Sequence, residues 1–581
     1  MTFLVTKPIN AEENPEPFFY IDILVPSSCC ISVSSFSSSI ISKYLPKIGI
    51  GIDTFDSGWA QIIPRTWGYP GPYPIPPYDD GGYDVLFVGW SWRLDWDPTG
   101  LFDSPSITPY GDNFYQYSNQ EMDWAISNYT NSYVLADRIN WCKQIQAILY
   151  EDLPQITLVY PLELYPIQND FDTSSWNGLL WASTSQPMEN WSIADQSEFC
   201  YATPADFVDF HPYFWESVYD RQWLHQIYNG LVERNPLAPF YNGYGPRIAT
   251  SITTDDYLTY NISINPNTKW ADGQVLNASD VEYSYKLLIT PEFNCPEYSY
   301  WTQYIDNSSV KIISEFEMSI TFLKKWIFQE NNLALALVPK HIWESIPYTN
   351  QDAQAINWAM NNPSMLIGAG PYYLYNYNST NDIIHLKRND YFDDWSGVIP
   401  KFSDIYFKFY SSKEMALSDL SAGTVDMIDG QFLTHKKEIP EGANYVLVDD
   451  PGTSEIAINN EHPYIGTGES CPISSPLSGK YIRKAMNHII PRDLIISEFP
   501  LDKYFKHGIT ACPSVAIGFD SSLEPYEYNP TLAKEYMELA GFVYPTETNT
   551  VISIGIGFTT TLSIIALVGS CIVFITRIKR K

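Results

Sequence analysis

Apolar and polar positions alternate along the chain in blocks that predict strands and helices in turn. Phe18 to Val25 is an apolar run of strand length, followed by an amphipathic stretch from Ser37 to Pro46 and by Lys47-Ile48-Gly49-Ile50. Pro- and Gly-rich loops occupy residues 68–82, and Tyr83-Asp-Val-Leu-Phe-Val-Gly89 reads as a buried strand. A helix fits Ala136 to Tyr150, with Asp137 near its start and apolar residues at helical spacing. Pro154 stops it, and Ile156 to Tyr160 is a further strand. Residues 168–199 are rich in Ser, Asn, Asp and Trp and read as a connecting segment. A second body then mixes strands and helices in the same manner. Its clearest helix is Asn529 to Ala540, ended by Gly541 at the C′ position.

The pattern changes at the end. Val551 to Thr576 contains no charged residue. At ~1.5 Å rise per residue, such a helix exceeds the ~30 Å hydrocarbon core. Arg577, Lys579, Arg580 and Lys581 follow, and basic clusters stay on the cytoplasmic side. The expectation is a cell-membrane protein with a single-pass helix, a cytoplasmic C-terminus and its bulk extracellular. Met1 to Ile40 shows no basic region followed by an apolar one, so export implies a start upstream of Met1 or another route.

Composition narrows the classes. The 581 residues carry 67 acidic against 34 basic side chains, a net charge of -33. That balance repels phosphate backbones and argues against nucleic-acid binding. It suits an exterior surface, or ordinary solvation. The eight cysteines contain no C-x-x-C pair, so a zinc site of the usual spacing is not expected. One or two disulfides are compatible with an oxidising compartment, without a pairing being readable. Sequons at Asn128, Asn190, Asn261, Asn277, Asn307 and Asn378 are compatible with a glycoprotein. No P-loop, H-E-x-x-H or G-x-S-x-G motif occurs, and the eight His residues are dispersed. No enzyme, cofactor or metal is therefore expected, although so acidic a chain always offers carboxylate pairs to a glycosidase reading.

The most specific run is Lys269-Trp-Ala-Asp-Gly-Gln-Val-Leu-Asn-Ala-Ser-Asp280-Val-Glu-Tyr-Ser-Tyr285. Asp272-Gly273 suits a tight turn, and Ser279 or Asp280 suits the cap of a following helix. This run resembles the signature of solute-binding protein family 5, which includes the oligopeptide-, dipeptide- and nickel-binding proteins of ABC importers. Further segments resemble the family in its own order. They are Phe210-His-Pro212 to Leu231, Gly368-Ala-Gly-Pro-Tyr372 with His385 to Asn389, Ala422 to Asp426, Ile482 to Asn487, and Tyr528 to Phe542.

The family's last third is similar to residues at the beginning instead: Phe18 to Ile50, Gly82 to Trp90 with Asp95-Trp-Asp-Pro98, and Asp137 to Pro161. The order thus resembles a circular permutation, with a remnant of an upstream tandem copy as the alternative. Residues 1–170 would supply the C-terminal third of the fold, 171–198 a connection, and 199–545 the N-terminal two thirds. Residues 546–550 would form a stalk, 551–576 the membrane helix and 577–581 the tail.

The resemblance implies a two-lobed α/β fold of the periplasmic-binding-protein-like type (class II, cluster C) that closes about a hinge. It also implies the capture of an oligopeptide for ABC permease subunits by a chain expected to be a monomer. An aspartate after the Gly-Trp segment would meet the ligand's α-ammonium. Asp95 matches that position, with a cap of the turn beside Pro98 as its structural alternative, and Asp97 is the second candidate. Trp90 or Trp92 would be the pocket tryptophan. Ser217 to Asp220 would lie beside the ligand, with Trp215 and Tyr219 as walls or as core. An oligosaccharide ligand, a nickel complex and a surface or adhesion protein that keeps the fold remain the alternatives.

Overall fold

The structure, a computed structural model, describes residues 14–27, 33–176, 178, 188–215, 217–235, 242–499 and 504–545. The expected membrane span, the basic tail, the stalk from residue 546 and Cys29, Cys30 and Cys571 lie outside them. Among the described residues no helix is long and apolar enough to cross a membrane.

One twelve-stranded mixed sheet organises residues 14–543. From one edge its main path runs through Tyr372–Asn378, Ile383–Arg388, Asp404–Phe409, Glu198–Thr203 and Met427–Ile428. It continues through Gln155–Gln168, Gly452–Ile458, Val85–Ser91 and Phe19–Pro26 to the far edge at Ile50–Ser57. The strand Phe19–Pro26 pairs in parallel with both neighbours, which explains why Phe19, Ile21, Ile23, Leu24 and Val25 are all buried.

The long strand Gln155–Gln168 is where the two bodies meet. Its first residues pair antiparallel with Gly452–Ile458, and its last ones with Ala443–Asp449. Tyr504–His507 pairs with its middle. Strands from before residue 170 and strands from after residue 198 therefore share one hydrogen-bonded ladder.

The hydrophobic cores divide in the same way. The larger one, with Trp191, Trp223, Trp270 and Trp343 fully buried, is built from residues 165–448. The smaller one contains Leu24, Tyr83, Trp96, Tyr115 and Ile145, and it is completed by Ile327, Phe328, Ala457 and Cys512. Both of these cores draw residues from both bodies, while a third, minor cluster of Ala202, Tyr410, Ala416, Leu420, Val425 and Ile428 lies within the second body alone. The connecting segment also packs, since Phe171, Met188, Trp191 and Ile193 are buried in the larger core.

The helix ends follow the sequence closely. Helix Leu135–Asp152 ends at Leu153, which takes a left-handed conformation just before Pro154. Helix Pro530–Leu539 is capped by Asn529, whose side chain accepts from Leu532 N at 3.0 Å, and Gly541 follows at φ 97°. Gly273 takes φ 88° in the turn after Trp270, where a side chain would be strained. The cap of helix Ala278–Leu288 differs from the expectation: it is Asn277, not Ser279 or Asp280. Asp280 instead completes a capping box by accepting from Asn277 N at 3.0 Å.

Candidate functional site

Strand Val85–Ser91 carries Trp90 into an antiparallel pairing with Thr453. The Trp90 indole Nε1 donates to Glu455 Oε1 at 3.0 Å, and Trp92 Nε1 donates to Thr453 Oγ1 at 3.0 Å. The two indoles lie 5.8 Å apart, and Trp67 meets Trp90 at 6.0 Å. Both expected pocket tryptophans thus stand half-buried in one aromatic cluster, held by their N–H groups.

Glu455 was not legible as a site residue. It is fully buried, accepts a second hydrogen bond from the Tyr115 hydroxyl, and leaves Oε2 without a partner among the described residues. Burial pushes its carboxyl up to about 7, against the two hydrogen bonds, which favour the charged form.

Asp95 lies at the joint between the two bodies. Its Oδ1 is 2.7 Å from Arg234 Nη2, with side-chain exposures of 10% and 4%. Arg234 also donates to Gly243 O at 2.6 Å, and its guanidinium lies over the Tyr244 ring at 4.7 Å. Asp97 stands apart: it is exposed and accepts from Thr99 N at 3.0 Å, so it is Asp97 that caps the turn after Pro98. Behind Asp95, a small cavity of about 10 Å³ is lined by Trp96, Tyr129, Arg138 and Cys142. That is below the ~300–1,000 Å³ of ordinary ligand pockets.

The short helix Val218–Leu224 carries the other expected residues. Ser217 is its N-cap and accepts from Tyr219 N at 3.2 Å. Trp215 packs against the larger core, with the Arg221 guanidinium 5.2 Å over its ring. Asp220 points inward: it is fully buried, accepts from Asp209 N at 3.3 Å and Trp223 Nε1 at 3.4 Å, and burial pushes it up to about 7. Ser217 and Asp220 are therefore accounted for by local structure. Tyr219 and Arg221 are among the residues of this helix with partners from other elements.

Those partners differ in sign. Tyr219 is half-buried, and its phenol is pushed up to about 12 by burial, Asp429 and Glu163. Asp429 accepts from the Tyr201 hydroxyl, from Gln431 N at 2.8 Å and from Gln222 Nε2 at 3.2 Å. Arg221 is held below its ordinary value by burial and by the positive charge of Arg93, which Glu297 partly offsets. Neither Arg93 nor Arg221 has a carboxylate within ion-pair distance among the described residues. In a chain with twice as many acids as bases, two arginines without such a partner stand out.

Among the described residues no group of three or more His, Cys, Asp or Glu side chains could hold a metal ion. Aromatic faces, two arginines and two partly satisfied carboxylates offer stacking and charge-assisted hydrogen bonds.

The family model for bacterial extracellular solute-binding proteins, family 5, middle region, matches residues 243–566. The chain belongs to solute-binding protein family 5. The match holds the Lys269–Tyr285 run, and residues 18–167 lie before it. Among curated family 5 relatives, the glutathione-binding protein GsiB of Pectobacterium atrosepticum is 23% identical over 309 residues, 53% of this chain and 52% of its own length. The oligopeptide-binding protein AppA of Bacillus subtilis is 24% identical over 294 residues, 50% and 49% respectively. The chain spans about half the length of these relatives. The solved AppA structure from Bacillus subtilis, in complex with a nonapeptide, aligns at 18% identity over 61% of this chain and 65% of that one, with a TM-score of 0.38.

Proposed function

We propose that this family 5 protein is an extracellular, membrane-anchored receptor that captures oligopeptides and delivers them to the permease of an ABC importer. Family membership supports the binding role, and GsiB and AppA are named for glutathione and oligopeptides. The apolar run 551–576 followed by four basic residues supports the anchor.

One observation carries the choice of ligand: the pairing of Asp95 with Arg234. Arg234 takes Oδ1 and leaves Oδ2 without a partner among the described residues. A carboxylate oriented in this way suits the α-ammonium of a peptide. Arg93 and Arg221 would take the ligand's carboxylate, and Trp90, Trp92, Trp215 and Tyr219 would flank the chain between. Ser217 would act through the helix it caps, and Asp97 and Asp220 would have structural roles.

The same reading accounts for the order of segments. Residues 1–170 would stand for the part of the fold that follows the last helix in other members, as a circular permutation requires. The adjacency of Phe18 and Phe542, 4.9 Å between ring centroids, supports this.

Trp67, Trp90 and Trp92 in one cluster also suit an oligosaccharide, whose rings stack on indoles. Calorimetric titration of the purified chain with di- to pentapeptides, their N-acetylated forms and malto- and cello-oligosaccharides separates the two. The peptide reading expects binding of free-amine peptides that N-acetylation weakens at least tenfold. Binding of sugars alone overturns it.

A further inference from the structure

Strand Gly452–Ile458, from the second body, sets Thr453 and Glu455 on one face at the two-residue period. Thr453 lies directly across the ladder from Trp90, and Trp92 N extends the pairing by donating to Pro451 O at 2.8 Å. Each indole of the first body thus stands beside one polar side chain of the second. Trp92 Nε1 donates to Thr453 Oγ1 and Trp90 Nε1 to Glu455 Oε1, each at 3.0 Å. The N–H is the one polar group of a tryptophan side chain, so its hydrogen bond selects the rotation of the ring about its stem. The two rings are held tilted by 34° to each other, and Trp67 meets Trp90 edge-on at 79°.

The acceptors themselves are buried and held. Thr453 is 3% exposed and Glu455 is fully buried. The Tyr115 hydroxyl donates to the same Oε1 of Glu455, and its ring stacks on Phe102 and Phe114 at 5.3 and 4.4 Å. Both donors meet on one oxygen, while Oε2 has no partner among the described residues. For stability alone this is a poor arrangement, because a buried carboxyl oxygen without a donor costs its desolvation. An apolar side chain of similar volume would avoid that cost. A residue that breaks a local rule without a gain in packing is the mark of a functional position.

We propose that Thr453 and Glu455 are positioning residues for the ligand: through their hydrogen bonds to Trp92 and Trp90 they fix the planes of the two indoles against which the bound chain lies. The inference rests on the reading above that these tryptophans flank the ligand. The first body supplies the rings and the second body sets their angle, without either acceptor having to touch the ligand. Rings held in advance spare the ligand the cost of ordering them. Loss of an acceptor therefore shows in affinity.

The test is calorimetric titration of the full chain and its variants with the free-amine di- to pentapeptides and the malto- and cello-oligosaccharides named above. Thr453→Val and Glu455→Met remove the acceptors at similar volume, whereas Thr453→Ser and Glu455→Gln keep an oxygen in place. The expected result is binding weaker by about fivefold in the first two, mostly recovered in the second two. The near-ultraviolet circular dichroism of the indoles changes in the same order. In a Trp90→Phe background, which has no N–H to hold, Glu455→Met adds less than about a twofold loss. Should Glu455→Met not fold, Thr453→Val, a hydroxyl exchanged for a methyl, decides. Binding by Thr453→Val and Glu455→Met within about twofold of the parent overturns the inference. Equal losses with and without the retained oxygen, or additive losses for Glu455→Met and Trp90→Phe, overturn it too. Failure of the parent to bind any of these peptides or sugars overturns the ligand reading itself, and the inference falls with it.

Discussion

Phe18 stacks on Phe542 with their ring centroids 4.9 Å apart, so the start of the first sheet strand lies against the end of the last described helix. Phe19 joins the contact, 5.5 Å from Phe542 and 4.4 Å from Tyr464. Helix Pro530–Leu539 packs in turn on residues Leu45–Ile48 and on helix Pro476–Ile489. Segments far apart in the chain are next to each other in space, the condition under which a fold tolerates relocation of its ends.

Phe542→Ala should therefore destabilise the whole protein. Loss of a buried phenylalanine costs about 3–5 kcal/mol, and the shared ladder makes the loss global. Urea unfolding followed by tryptophan fluorescence and by circular dichroism should give coincident transitions at a lowered midpoint. A first body that melts separately would contradict the single-sheet account.

Breaking the Asp95–Arg234 pair from one side should be costly. Arg234→Met leaves a carboxylate of 10% exposure without its partner, and removing one member of a buried pair costs about 3–5 kcal/mol. The double variant Arg234→Met with Asp95→Leu should recover part of that loss. Equal losses in the single and double variants would mean that the pair is not coupled.

Stability should fall as pH rises through the neutral range. Glu455 in the folded chain titrates at about 7, against 4.5 for an ordinary glutamate, so between those values the folded state holds a proton that the unfolded state has released. Each pH unit of such a difference is worth about 1.4 kcal/mol, an upper bound of about 3 kcal/mol for this group. Asp220, raised to about 7, and Asp22, raised to about 6, act in the same direction. Glu455→Gln should be more stable than the parent at pH 8 and should show a shallower decline from pH 5 to 8. An unchanged slope in denaturant midpoints would sink the assignment.

The cap at Asn277 offers a smaller effect. Its side chain accepts from Ser279 N at 2.9 Å, and replacing such a cap by alanine costs about 1 kcal/mol. Asn277→Ala should lower the denaturant midpoint accordingly, while Ser279→Ala should change it by less.

The legible parts of the fold were those set by local rules. Gly541, Pro154 and the Asp272-Gly273 turn act through backbone conformation, so their positions could be read directly. Trp90, Trp92 and Tyr219 are nominated by the sequence because they lie in segments that resemble a family. Glu455, Arg93, Arg221 and Asp429 carry no such mark. A carboxylate in a buried strand looks like any other of the 67 acids until Trp90 and Tyr115 are seen to point at it. The Asp95–Arg234 pair joins residues 139 positions apart, and no local pattern encodes that contact. The cap falls on Asn277 and not on Ser279 or Asp280 because all three have capping chemistry, and the residue at which the helix starts decides among them.

The most direct measurement is the melting temperature of the purified chain with a free-amine oligopeptide, with its N-acetylated form, and after Asp95→Ala. A ligand bound only by the folded state at a hundredfold excess over its Kd stabilises it by about 2.7 kcal/mol. The account predicts a rise with the free-amine peptide that disappears on N-acetylation and in Asp95→Ala. An equal rise with both peptides in the parent and in Asp95→Ala, or a rise with oligosaccharides alone, would contradict it.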